Sequence, residues 1–186
     1  MTETLEAQLA NAKAELLREA QGRALIDCGG PWAEQIFYET APEADSIAGV
    51  SFHEAGHYVV AELVGLPAVM IQVRLCADRH LRGVVSPTWD FMDPDPEQTD
   101  AVNLGSRIQL CGTVGIHLDL DEILARAGVM IRDNWPRVQR IGAHLESLCR
   151  TQTGPTWRVV ISAQTIDRLF WPEAAWVEWY GRGICA

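Results

Sequence analysis

Basic side chains are the scarce class in this chain. Fifteen Lys and Arg face 25 Asp and Glu, for a formal net charge of -10 and a pI near 4.9. Proteins that track nucleic acid or anionic lipid need clustered Lys and Arg, so those partners are excluded and a protein or peptide partner is expected. No apolar run is long enough to span a bilayer. The opening residues, "MTETLEAQLANAKAELLREA", lack the cationic start and apolar stretch of a secretory signal. The five cysteines, Cys28, Cys76, Cys111, Cys149 and Cys185, are odd in number and contain no CxxC spacing. That pattern argues against a disulfide framework or a cysteine-based zinc site and for reduced thiols in the cytoplasm. Solenoid repeats, low-complexity tracts and a G-x-x-x-x-G-K-[ST] phosphate loop are absent as well.

What is present suffices for one domain: 186 residues, 48% of them apolar. Leu5, Leu9, Ala12, Leu16 and Ala20 recur at helical spacing, which predicts an amphipathic helix over 3–27 ended by "CGGP". It would pack as an arm on the domain or on a second copy. A short helix around "WAEQIFYE" and a loop "TAPEADS" follow. The stretch "GVSFHEAGHYVVAELVGLP" then predicts a helix with Ser51 as N-cap and Gly65 with Pro67 as its stop. Residues 68–87 are rich in β-branched side chains and predict two strands or a hairpin. A Pro- and Asp-rich loop, "TWDFMDPDPEQTD", leads into helices at about 100–116, 119–133, 135–150 and 162–170, with Pro136 in a first turn. In the last segment the spacing would place Trp176, Trp179 and Tyr180 on one helical face. The fold class is mainly α with a small β-hairpin or sheet.

His53 and His57 stand at i and i+4, so on a helix both imidazoles leave one face a turn apart and can meet one Zn²⁺. Glu54 then projects beside the metal, where it can take a proton from a water activated there. Phe52, Ala55, Val59, Val60 and Leu63 supply an apolar side to bury. A simpler reading competes: Ser51 and Glu54 spell S-x-x-E, a capping box in which the glutamate only satisfies backbone donors, with both histidines on the surface. A catalytic zinc site needs a third ligand. A histidine six residues after His57 is ruled out because Leu63 stands there. Glu97 follows "DPDP", a poor frame for a rigid ligand. His117, Asp119, Asp121 and Glu122 remain, at the junction of two expected helices.

The passage from "HEAGHYVVAEL" through "VMIQVRLCADRHLRGVVSP" resembles the catalytic helix and following hairpin of the FtsH-type zinc metalloproteases. That family continues with a helix patterned D-L-x6-A-x2-M-V, and Asp119, Leu120, Ala127, Met130 and Ile131 stand in that register. The resemblance assigns Asp119 as third ligand, ahead of Asp121 and His117. The family's glycine-rich "aGgraAEe" helix keeps only Gly112 in "IQLCGTVGIHL". "CGGPWAEQIFYE" matches it better from the other side of the motif, as a chance helix-start pattern or a rearranged element.

The resemblance covers about residues 50–150 and implies residues 1–48 as a helical arm and 49–186 as a zinc peptidase-like domain. The implied activity is an ATP-independent zinc endopeptidase: Glu54 as general base, His53, His57 and Asp119 as metal ligands, peptides or unfolded segments as substrate, and a possible homo-oligomer. The hairpin would offer an edge strand to the peptide. The alternative is a non-catalytic, zinc-containing interaction module using Trp171, Trp176 and Trp179.

Overall fold

The computed structural model describes residues 4–66, 68–86 and 100–170. Its longest element is α1, Leu5–Thr40, one unbroken helix of 36 residues. The expected stop at "CGGP" and the separate short helix after it are therefore corrected. Gly29, Gly30 and Pro31 lie inside the helix, although intrinsic propensity sets roughly 1 kcal/mol against each glycine and about 3 against the proline. Tertiary packing offsets that cost. A Cβ on Gly29 would meet Val60 Cγ2 at 2.8 Å, and one on Gly56 would strike the Gly29 carbonyl and Ala33. The backbones of α1 and α2 (Ser46–Leu63) approach too closely there for larger residues.

Only the first part of α1 projects. Leu5, Leu9 and Leu16 are exposed, whereas Ala20, Ala24, Leu25, Cys28, Ala33 and Phe37 are buried in the main core. The arm is thus confined to residues before Ala20, and the rest of the helix is a core element.

The N-cap of helix α2 lies six residues before the expected Ser51. It is Asp45, accepting from Ala48 N at 3.1 Å and pairing with both terminal nitrogens of Arg150 at 3.0 Å. The Arg150 hydrogen bonds hold the Asp45 carboxyl below its ordinary range. Ser51 is instead fully buried and donates to the Ile47 carbonyl at 2.7 Å. The helix ends as expected: Gly65 adopts φ +72° and Leu66 N donates back to the Ala61 carbonyl.

Strands β1 (Met70–Leu75) and β2 (Leu81–Ser86) form the expected hairpin. Helices α3 (Asp100–Thr113), α4 (Leu120–Asp133) and α5 (Trp135–Arg150) follow, then β3 (Trp157–Ser162) and α6 (Ala163–Phe170). β3 has no counterpart in the sequence reading. It pairs antiparallel with β1, giving the order β2-β1-β3, so β1 is central and β2 is an edge. Ile71, Val73, Val159 and Ile161 are buried in the main core, with Gly83 opposite Val73 on the same face. Glu97, the acidic loop, Cys185 and the tryptophans Trp171, Trp176 and Trp179 lie outside the described residues.

Candidate metal centre

Helix α2 is buried on nearly every side, and each of its faces has a different neighbour. Phe52 stacks on Phe37 with ring centroids 4.0 Å apart and packs against Gly142 of α5, where a Cβ would come within 2.9 Å of its ring. Ala55, Tyr58, Val59 and Val60 fill the core, whereas Leu63, expected on the buried side, is exposed. This packing sets the rotation of the helix. The faces left over carry His53 and His57 toward α1 and Glu54 toward β2.

Three successive turns of α1 run past the histidines. His53 Nδ1 lies 2.9 Å from Glu34 Oε2, and His57 Nδ1 lies 2.6 Å from the Ile26 carbonyl. A carbonyl or an ionised carboxylate only accepts, so each Nδ1 carries its proton and donates. Each Nε2 is then left with a lone pair in the neutral ring. These two nitrogens face one another at 3.1 Å. Two lone pairs repel at that separation unless a proton or a cation lies between them. Tetrahedral Zn–N bonds of about 2.0 to 2.1 Å place two nitrogens about 3.3 to 3.4 Å apart, close to the spacing observed.

The backbone of α1 comes closest to both rings at the same point. Gly30 lies opposite both rings, and a Cβ built on it would lie 2.7 Å from His53 Nε2 and nearer still to His57 Nε2. The missing side chain is what lets the helix backbone lie against both rings at once. Among the described residues His53, Glu54 and His57 form a group whose ligand atoms all lie within 4.8 Å of one another.

Glu54 is 4% exposed. Its carboxylate rests against Gly83 of β2, so closely that a Cβ on that residue would collide with it. It sits in the middle of α2, not in its first turn, and Ser51 caps nothing. The capping-box reading is thereby excluded, and so is the surface reading for His57, which is 7% exposed.

Asp119 does not join this group. It is the exposed N-cap of α4, accepting from Glu122 N at 3.0 Å. His117 and Asp121 are exposed nearby and also lie outside the group. Among the other candidates, Cys111 and Cys149 are buried core thiols, as expected, and burial raises the Cys149 pKa to about 11, so it stays protonated.

Glu34, Gly30 and the Ile26 carbonyl escaped the sequence reading as partners of the motif. The available signal was "CGGPWAEQIFYE", whose chance-match reading as a helix start fails, because it is a helix interior packed on the histidines. A carboxylate behind a ligating imidazole orients the ring and raises its basicity, and its loss typically costs 10- to 100-fold in metal affinity. Glu34→Ala is accordingly expected to weaken zinc binding by about 10- to 100-fold, read by competition with a chromogenic chelator. Unchanged affinity in that variant would leave His53 positioned by packing alone.

No known protein family, curated protein or solved structure matches this chain.

Proposed function

We propose that the chain is an ATP-independent zinc metallopeptidase acting on peptides or unfolded segments. The observation that carries this reading is the convergence of the two Nε2 atoms beside Gly30, with a buried glutamate of the same helix within 4.8 Å of them and packed against an edge strand. His53 and His57 would hold the metal through Nε2. Nitrogen donors of this kind suit Zn²⁺. A cation at that point supplies Lewis-acid polarisation of a carbonyl and brings the pKa of a coordinated water toward about 7.

This chain's own residues would do the rest. Glu54 accepts the proton of the attacking water and returns it to the leaving amine. The outer edge of β2, which no described strand pairs, offers backbone donors and acceptors to an extended substrate. Asp119 as third ligand rests on the resemblance to FtsH-type peptidases, as does a fold of that type, and ligation would require its carboxylate to leave the cap of α4. No described helix is long and apolar enough to cross a membrane, and a cytoplasmic location is proposed from the cysteine pattern alone.

The test is metal content together with cleavage. The purified chain is expected to carry one equivalent of zinc by plasma mass spectrometry and to cut a chemically unfolded protein. 1,10-Phenanthroline should abolish cleavage, and added Zn²⁺ should restore it. Stoichiometric zinc with no cleavage would favour the interaction module instead; no zinc at all would overturn both readings.

A further inference from the structure

Three elements leave the histidine pair in the same direction and meet around one cavity. Along α2, Ala61 lies one turn beyond His57; along α1, running the other way, Arg23 and Ile26 lie one to two turns from Gly30. Along β2, Val85 lies two residues beyond Gly83, and side chains two apart on a strand share a face. Ile26, Ala61 and Val85, with Ala68, line a cavity of about 310 Å³. Val85, in the wall of the cavity, thus lies roughly 6.6 to 6.8 Å along the edge strand from the Gly83 that Glu54 touches.

Resting on the metallopeptidase reading, the geometry points to this cavity as the subsite that selects one substrate side chain, a large apolar one such as Leu, Met or Phe. An extended peptide added to the outer edge of β2 repeats its side chains at the strand's own period. When one residue lies over Gly83, the residue two positions along lies over Val85 and faces the cavity. Charge does not compete for the space. Arg107 Nε donates to Asp27 at 3.0 Å and Arg23 Nε to Glu19 at 2.9 Å, so both guanidinium groups at the rim are engaged by carboxylates of this chain. The remaining lining is aliphatic, and the volume exceeds the needs of an alanine or serine side chain. A hydrophobic pocket discriminates by how well it is filled, and each methylene gained or lost changes selection by about 10- to 200-fold.

The experiment uses a synthetic mixture of randomised dodecapeptides, the zinc-loaded full chain, and mass spectrometry of the products. Cleaved sequences are expected to be enriched in Leu, Met and Phe at one fixed position relative to the cut. Val85→Phe and Ala61→Leu, which fill the cavity from β2 and from α2, should shift that position to Ala, Gly and Ser while zinc content stays at one equivalent. Two variants are needed because Ala61 is almost fully buried and a larger residue there can disturb folding; circular dichroism identifies the variant to be read. Cleavage without positional enrichment, or enrichment untouched in a folded variant, overturns the subsite and leaves the peptidase reading standing. A wild-type chain that binds zinc and cuts nothing removes the peptidase reading and the subsite with it.

Discussion

Gly30→Ala is expected to abolish stoichiometric zinc binding by forcing the two imidazoles out of place. The added methyl would clash with both rings, 2.7 Å from Nε2 of His53 and nearer still to that of His57. Neither ring can swing aside cheaply. Each is tethered through Nδ1, one to Glu34 and the other to the Ile26 carbonyl, and rotation would break that bond. Helix α1 itself should be retained, because alanine is the better helix former by up to about 1 kcal/mol in a helix interior, while its packing on α2 should loosen at this point. Loss of a supporting partner alone costs about 10- to 100-fold in affinity, so obstruction of the position itself should cost more than about 100-fold. Chelator competition and plasma mass spectrometry measure it, with circular dichroism as the control. A Gly30→Ala chain that still holds one tight equivalent would put the metal somewhere other than between these histidines.

Glu54→Gln is the complementary change: cleavage should fall by about 10²- to 10⁴-fold, the usual worth of a positioned general base, while zinc content is unchanged. The amide has the shape of the carboxylate and fits the same buried place against Gly83, so the packing of α2 on β2 is preserved. It cannot accept a proton from the attacking water. The pair of measurements, kcat/KM on a fluorogenic peptide and metal per chain, separates loss of the base from loss of the site. Undiminished kcat/KM would take Glu54 out of the reaction. Together with Gly30→Ala, which should remove metal and cleavage at once, the two variants tell binding apart from chemistry.

Much of this was legible from local pattern. The i, i+4 histidines, the Gly65 stop, the hairpin, and the helix at 135–150 all depend on interactions within a few residues of one another, and the structure places them as expected. Boundaries that depend on distant partners are not legible in local pattern. Ser51 has the chemistry of an N-cap, but Asp45 takes that role because Arg150, 105 residues away, also holds it. β3 is only six residues long, Trp157–Ser162, and its pairing with β1 joins it to a strand more than 80 residues earlier in the chain. Nothing local announces such a partner beyond the run Val159, Val160 and Ile161.

The amino-acid sequence by itself determined the donor set: two imidazoles on one helical face with a glutamate beside them, a consequence of 3.6 residues per turn. Only the tertiary structure decided that this face is turned toward α1, that Glu34 and the Ile26 carbonyl fix both tautomers, and that Gly30 lets α1 lie against both rings. "CGGP" looks locally like a helix end because glycine and proline carry intrinsic penalties. Once α2 lies against it, the absence of side chains at Gly29 and Gly30 becomes what allows the approach. Close packing between two helices offsets a local penalty of a few kcal/mol, and no single-segment pattern contains that term.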